Sequence, residues 1–421
     1  MSIDIERISE ETIEKYRDYV NPSMANLLKF SGFAIPEKDA SGCYIRDIAD
    51  NEYLDCVGGY GAFSLGHLHP RVVQAVKNQL EKEALKSHYF ISTELADLCE
   101  LLSEVTPGDL QYSFICNSGT EAVEGALKAA RVHTGRPGYV GALNAFHGKS
   151  YGSLSVSGRE VYRSQFYPLL SDVKNVPYGD VQAMADAVDE NTAAVILEVI
   201  QGEGGVIVPP DGYLPEVREI CNKNGALLIL DEVRTGFGRT GAMFACEHYG
   251  IVPDILTMAK ALGGGVMPVG AFSSNPKVWD SLFGKNPYLH SSTFGGNPLA
   301  CVAAIAAITT TIDEGLVDRS AKLGDRLLSA LKDIAAKHPD YIKEVRGKGL
   351  LAGIEFTIDD FAALAITVCG KHNLLVAYSL NNPRVLRIEP PLIITPDELD
   401  RAIAIIDTAI TETAALISGI G

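Results

Sequence analysis

The sequence predicts an α/β fold in which a mostly parallel sheet is wrapped by helices. Short apolar and β-branched runs alternate with segments of helical period along the middle of the chain, a pattern typical of parallel sheets that are covered on both faces. Helices are predicted over 119–133 and 214–222, between successive strands. The candidate strands are 114–116, 138–143, 195–200, 227–230, 255–258 and 269–272.

The size and the flanks of the chain predict a smaller α+β domain beside this sheet. With 421 residues, of which 47% are hydrophobic and 40 are glycine, the chain is long enough for more than one domain. We expect an N-terminal segment over 1–50 that contributes to the small domain, a large domain over 51–300 and a C-terminal small domain over 301–421. The capping-box spacing of Thr395 and Glu398 predicts the start of the last helix.

The charge and the cysteines restrict the partners and the compartment. The formal net charge of -17, from 36 basic and 53 acidic residues, argues against a nucleic-acid partner. The chain has no run of about 18 consecutive apolar residues and starts without a basic and then apolar leader, so we expect no membrane association and a cytoplasmic location. Eight scattered cysteines are expected to be buried free thiols, and neither they nor the histidines suggest a metal site.

Two polar residues stand at the ends of predicted strands. Asp231 ends one apolar run, and Lys260 follows a second run, directly before a cluster of glycines. A lysine amine can bind the aldehyde of pyridoxal 5'-phosphate (PLP) as a Schiff base, and a carboxylate can keep the pyridine nitrogen of PLP protonated, so that the ring accepts electrons. Polar residues follow the strands of many other α/β proteins, so this pair alone leaves both interpretations open.

Two further segments have properties that a PLP site needs. The segment 117–121 follows a predicted strand and opens a helix, whose N-terminus suits a phosphate group. The spacing of Ser118 and Glu121 also explains this segment as an ordinary helix start. Phe146, with Gly148 nearby, offers an aromatic face for the pyridine ring, although a single phenylalanine is more often a core residue.

Taken together, these segments resemble the class III family of PLP-dependent aminotransferases. The resemblance implies a transaminase with PLP as its cofactor. It also implies the aspartate-aminotransferase-like fold (fold type I), with a large, mostly parallel seven-stranded sheet domain and a small α+β domain. The matching segments, in the order of the family, are 117–131, 145–149, 198–205, 231–241, 257–265, 292–298 and 346–356.

The resemblance also assigns roles around the cofactor. Lys260 is implied to form the Schiff base and to carry the proton between substrate and cofactor, and Asp231 to pair with the pyridine nitrogen. Val233 and Phe146 are implied to cover the two faces of the ring. Thr293 is implied to reach the phosphate from the neighbouring subunit, which makes the functional unit a homodimer and leaves a tetramer open. The other implied cofactor contacts are Ser118, Gly119, Thr120, His147 and Arg234.

A glutamate and an arginine carry the implications for the substrate. In ornithine-type members of the family such a pair lies in the active site, and the matching positions are Glu198 and Arg387. An arginine binds the carboxylate of an oxo-acid such as 2-oxoglutarate in a bidentate manner, and the glutamate masks it when a donor with a neutral or cationic end is bound. The chain departs from the family at Arg234, where glutamine is usual, and at Val199, where proline is common. A cation at position 234 either stabilises the phenolate of the cofactor or turns away to bind substrate.

Three segments, 260–268, 289–301 and 376–391, resemble the members of the family that act on terminal diamines such as putrescine. We therefore expect ping-pong transfer of a terminal amino group from a diamine or an ω-amino compound to 2-oxoglutarate or pyruvate. Acetylornithine, ornithine or 4-aminobutyrate aminotransferases and amine transaminases of specialised metabolism remain alternatives. An aminomutase, a decarboxylase and a non-enzymatic regulator on the same fold also remain.

Overall fold

The computed structural model describes residues 2–420, which form fifteen β-strands and fourteen α-helices. The strands are β1 (Glu37–Ser41), β2 (Tyr44–Asp47), β3 (Glu52–Asp55), β4 (Tyr112–Cys116), β5 (Gly138–Ala142), β6 (Val173–Val176), β7 (Thr192–Glu198), β8 (Leu227–Asp231), β9 (Ile255–Met258), β10 (Gly270–Ser274), β11 (Ile342–Lys348), β12 (Leu351–Phe356), β13 (Leu374–Leu375), β14 (Ala377–Ser379) and β15 (Asn382–Ile388). The helices are α1 (Ser2–Lys15), α2 (Pro22–Ser31), α3 (Gly58–Gly61), α4 (Pro70–Leu80), α5 (Thr93–Val105), α6 (Gly119–Thr134), α7 (Tyr151–Val156), α8 (Val181–Ala187), α9 (Tyr213–Asn224), α10 (Pro276–Phe283), α11 (Pro298–Asp313), α12 (Leu316–Lys337), α13 (Phe361–Lys371) and α14 (Pro396–Ile420).

The large sheet has seven strands in the order β4-β10-β9-β8-β7-β5-β6. β10 runs antiparallel to both of its neighbours, and the other pairs are parallel. The prediction of a large, mostly parallel seven-stranded sheet is therefore confirmed. All six predicted strands and both predicted helices are present, and the seventh strand, the edge strand β6, was missed.

Successive residues of the central strands alternate between two cores, one on each face of the sheet. Val195 of β7 and Leu228 of β8 pack in the core on one face, whereas Ile196 and Ile229 pack in the core on the other. Helix α6 covers this second core. Because both faces are buried, the strands are apolar throughout, and this makes them recognisable in the sequence.

A further core joins the two ends of the chain. β3, near the N-terminus, pairs in parallel with β13, so that Leu54 lies opposite Leu374. Leu54 is buried in the same core as Ile354 and Leu386, which belong to the four-stranded sheet β11-β12-β15-β14. The N-terminal strands therefore lie beside the C-terminal part of the chain. The domain bounds at residues 50 and 300 stay a prediction.

The last helix, α14, begins with the predicted capping box. The backbone N–H of Thr395 donates to Glu398 Oε2 at 2.7 Å, and that of Glu398 donates to Thr395 Oγ1 at 3.2 Å. By length and composition alone, α14 is apolar enough to cross a membrane. Its residues Leu399, Ile406 and Ile410 are fully buried in the core that joins the chain ends, and 33% of its most apolar window is buried.

The eight cysteines are free thiols, and seven of them are buried. Burial raises the pKa of Cys43 to about 12 and that of Cys99, which is partly exposed, to about 11. Thiols with such pKa values stay protonated at neutral pH and are poor nucleophiles. The expectation of buried free thiols is confirmed for all but Cys99.

Candidate active site

A cavity lies at the carboxyl ends of the parallel strands. β7 ends at Glu198 and β8 at Asp231, which lies opposite Glu198 in the sheet register, and Lys260 follows β9. Ligands of open α/β sheets bind at this edge. The cavity has a volume of about 490 Å³, and the predicted site residues that line it are Ser118, Gly119, Thr120, Phe146, His147, Glu198, Asp231, Val233, Arg234 and Lys260.

Lys260 stands at a sharp bend where β9 gives way to a 3₁₀ turn. Its φ of 50° lies in the left-handed region, a conformation that costs a non-glycine residue free energy and is kept where the surroundings require it. Burial, and then the charge of Arg234, lower the pKa of its amine to about 8, against the opposing charges of Glu389, Glu203 and Asp231. An amine with this pKa is partly neutral near pH 7 and available as a nucleophile.

The buried carboxylate of Asp231 is held at both oxygens. Oδ1 accepts a hydrogen bond from the backbone N–H of Val233 at 3.0 Å, and Oδ2 lies 2.7 Å from His147 Nδ1. Burial disfavours a charged His147, but the hydrogen bond and the charge of Asp231, together with Glu198, outweigh burial and raise the pKa of the imidazole. His147 therefore fixes the orientation of Asp231.

The N-terminus of α6 suits a phosphate group. Ser118 caps this helix, because its Oγ accepts a hydrogen bond from the backbone N–H of Glu121 at 3.3 Å. The N–H groups of Gly119 and Thr120 belong to the first turn, where a helix has no carbonyl to offer them, and both residues line the cavity. A Cβ on Gly119 would lie 2.9 Å from Val233 Cγ1, so glycine permits this close approach.

This side of the cavity fits PLP. It brings together a helix N-terminus for the phosphate, Lys260 for the aldehyde, Asp231 for the ring nitrogen, and Phe146 and Val233 for the two ring faces. The individual contacts stay predictions. This holds also for Thr293, which is exposed and whose carbonyl oxygen lies 2.8 Å from His88 Nε2.

A second group of side chains, which we call the ion-pair cluster, consists of Arg234, Arg387, Glu203 and Glu389. Arg234 donates through Nη2 to Glu203 and through Nη1 to Glu389, the second contact at 2.7 Å. Arg387 lies beside the same carboxylates, with Nη1 3.0 Å from Glu203 and Nε 3.4 Å from Glu389, and the ring of Tyr60 covers it at 5.3 Å. All four side chains of the cluster are buried, and their formal charges cancel.

Arg387 forms its ion pairs with Glu203 and Glu389 and not with the predicted partner Glu198, whereas binding of substrate by Glu198 and Arg387 stays a prediction. Glu198 Oε1 accepts a hydrogen bond from the backbone N–H of Phe146 at 2.9 Å, and its Oε2 accepts one from Gly202 at 3.0 Å. The carboxylate of Glu198 thus supports two loops that border the cavity. The chain turns back at Gly202, whose carbonyl accepts from the N–H groups of two following residues, and this turn presents Glu203 to Arg387.

The sequence analysis missed Glu203 and Glu389, although both lie within segments that carry the family resemblance. Glu389 stands two residues after Arg387, and in extended chain residues two apart share a face, so this spacing was an available signal. For Glu203 we find none. Of the two alternatives for Arg234, the guanidinium turns to the glutamates, whereas a contact of Arg234 with the cofactor stays a prediction.

Comparison with known proteins agrees with this geometry. The family model for aminotransferase class-III matches residues 31–410. A putrescine aminotransferase of Pectobacterium atrosepticum is 46% identical over 414 residues, which cover 95% of this chain and 88% of the relative. The solved ornithine aminotransferase of Toxoplasma gondii ME49 has a TM-score of 0.89 and 33% identity and covers 97% of this chain and 96% of its own. A transaminase of the marine bacterium Virgibacillus has a TM-score of 0.87 and 27% identity, with coverages of 91% and 94%. The chain therefore belongs to the class III aminotransferases, which are fold type I transaminases that depend on PLP.

Proposed function

We propose that the protein transfers the terminal amino group of a diamine or ω-amino compound, with putrescine as the leading donor, to 2-oxoglutarate or pyruvate in a ping-pong reaction. The observation that carries this proposal is the buried contact of Arg387 with Glu203 beside Lys260. A guanidinium binds the carboxylate of an oxo-acid in a bidentate manner. When Glu203 covers Arg387, the same place accepts a neutral or cationic chain. The similarity to the putrescine aminotransferase of Pectobacterium atrosepticum supports the donor class.

The proposed roles follow from the contacts of each side chain. When bound, PLP supplies an electron sink for the substrate carbon that loses a proton. Lys260, with a pKa of about 8, would remove that proton from the substrate carbon and deliver it to the cofactor carbon on the other side of the transferred nitrogen. Asp231, oriented by His147 at 2.7 Å, stabilises the positive charge of the ring nitrogen. Arg387 orients the oxo-acid in the second half of the reaction.

A homodimer in which the partner contributes Thr293 is part of the proposal. Two exposed apolar segments support it: Tyr89 and Phe90 are 93% and 84% exposed, and Tyr288 is 82% exposed. The segments adjoin, because His88 Nε2 lies 2.8 Å from the carbonyl oxygen of Thr293. Contiguous exposed apolar surface of this kind suits a subunit interface. Sedimentation of the Phe90→Asp variant should show a monomer, and this variant should bind PLP more weakly. An unchanged dimer would contradict this interface.

A panel of donors tests the reaction. Putrescine, cadaverine, ornithine, acetylornithine and 4-aminobutyrate are each compared by kcat/KM, with 2-oxoglutarate or pyruvate as acceptor. We expect the highest values for a diamine and no turnover in Lys260→Ala. A strong preference for a donor that resembles an α-amino acid would contradict the diamine assignment. Product formation without any oxo-acid would favour an aminomutase or a decarboxylase.

A further inference from the structure

The two arginines of the ion-pair cluster share its glutamates unequally. Arg234 donates an aligned hydrogen bond to Glu203 and another to Glu389. Arg387 is only 1% exposed, yet within residues 2–420 neither its Nη1 nor its Nη2 has an aligned acceptor. A buried guanidinium whose terminal nitrogens lack acceptors carries a desolvation penalty. A carboxylate that approached these two nitrogens in a bidentate manner would remove this penalty.

Glu203 has partners that do not depend on Arg387. Its Oε1 accepts from Arg234, and its Oε2 accepts from the backbone N–H of Leu380 at 2.9 Å. If an oxo-acid takes over Arg387, Glu203 keeps both of these contacts. Without Arg234, the same event would leave the buried carboxylate of Glu203 without an arginine as an ion-pair partner, and a buried charge without such a partner is strongly unfavourable.

Gly61 lies close both to the ion-pair cluster and to the side chain of Lys260. A Cβ on this glycine would lie 2.8 Å from Glu389 Oε1, 3.5 Å from Lys260 Cδ and 3.8 Å from Arg234 Cγ. Its φ of 95° is in a region that favours glycine. The backbone therefore passes between Lys260 and the cluster without a side chain, and the charges of the cluster act directly on the amine.

We propose that Arg234 is a positioning residue that sets how firmly Arg387 is masked, and thereby the affinity of the site for oxo-acids. Because Arg234 donates to Glu203 Oε1, the oxygen that lies 3.0 Å from Arg387 Nη1, and also to Glu389, it weakens the hold of both glutamates on Arg387. With glutamine at position 234, Arg387 would be the one arginine among residues 2–420 left within ion-pair distance of either glutamate, and the mask would tighten. This inference rests on the proposed function, in which Arg387 binds the acceptor.

Binding of glutarate, a dicarboxylate without an oxo group, to the PLP-loaded protein tests the inference by calorimetry. The variants are Arg234→Gln and the double variant Arg234→Gln/Glu389→Gln. The double variant serves if the single variant fails to fold. It keeps one arginine and one glutamate in the cluster, so the net charge of the cluster is unchanged and each remaining charge has a partner. We expect the Kd for glutarate to rise about tenfold or more in the double variant, since one charge-assisted contact is worth such a factor. The KM for 2-oxoglutarate should rise by more than the KM for the amine donor.

The control is Arg218→Gln, which removes an ion pair with Asp254 at the opposite end of the sheet, with an N–O distance of 2.7 Å. This variant should bind glutarate as the unmodified protein does. If the double variant binds glutarate as tightly as the unmodified protein, Arg234 does not control the mask. If the unmodified protein binds no dicarboxylate at all, the acceptor site of the proposed function is wrong, so the two failures are distinguishable.

Discussion

The pKa of Lys260 can be measured in the PLP-free protein. Burial, followed by the charge of Arg234, lowers it from 10.5 to about 8. At pH 7 this lowering raises the neutral fraction of the amine roughly 300-fold. Since the neutral amine is the nucleophile that attacks the PLP aldehyde, the rate of PLP attachment should follow this titration.

Stopped-flow absorbance of PLP mixed with PLP-free protein measures this rate as a function of pH. The rate should rise with pH and level off above a midpoint near 8, and Lys260→Ala should lack this phase. Arg234→Gln removes a positive charge that lowers the pKa, so its midpoint should lie at higher pH. A midpoint near about 10, the value of a lysine in water, would refute the account of a desolvated amine beside the ion-pair cluster.

Three further predictions concern the supports of the site. Gly119→Ala places a methyl group 2.9 Å from a valine Cγ1 and should weaken PLP binding in equilibrium dialysis, whereas Gly419→Ala, with open space around it, should not; equal affinities in both variants would contradict this. His147→Phe removes the 2.7 Å contact to Asp231, and a charge-assisted bond of this kind is worth about 1.5–3 kcal/mol. The Kd for PLP should therefore rise at least about tenfold, and an unchanged Kd would show that His147 does not help Asp231 to bind PLP. Although burial opposes it, the two arginines of the ion-pair cluster lower the pKa of Glu203 to about 2. The stability that Glu203 contributes is therefore complete above about pH 4.5 and lost as the pH falls toward 2. Denaturant unfolding should show that the free energy of unfolding falls less at acid pH for Glu203→Gln than for the unmodified protein. An identical fall in both would contradict the ion pairs of Glu203.

The predicted and the missed strands of the large sheet differ in burial. β7 and β8 are buried on both faces, so their apolar runs are continuous and visible without any knowledge of the fold. β6 is an edge strand with the sequence Val-Lys-Asn-Val, and three of its four residues are partly or fully exposed. Such a strand is stabilised by its pairing with β5, a tertiary contact that four residues of sequence do not reveal.

In the site, too, some contacts follow from the predicted strands and others depend on the tertiary path of the chain. Asp231 ends β8 and Lys260 follows β9. Because parallel strands end at the same edge of a sheet, the predicted parallel sheet places both residues at that edge, whereas the adjacency of the two strands is seen in the structure. The partner of Arg387 depends on the path of the turn after β7. Glu198 lies within reach of backbone N–H groups at the end of the strand, whereas Glu203 reaches the arginine because the chain reverses at Gly202. Glu198 and Glu203 are only five residues apart, and the sequence alone does not show which of them contacts Arg387.

Under the proposed function, the neutral ion-pair cluster, which borders the cavity through Arg234, would let one site serve two substrates of opposite charge. A lone buried arginine would repel the cationic end of a diamine, and a lone buried glutamate would repel the carboxylate of an oxo-acid. With Arg234 and Arg387 set against Glu203 and Glu389, each of the two proposed substrates would meet a group of opposite charge, and Glu203 would keep Arg234 as a partner when an oxo-acid bound Arg387. The same balance limits the net field on Lys260, whose pKa the arginine lowers and the glutamates raise. A change in one member of the cluster should therefore alter both the choice of substrate and the basicity of the lysine.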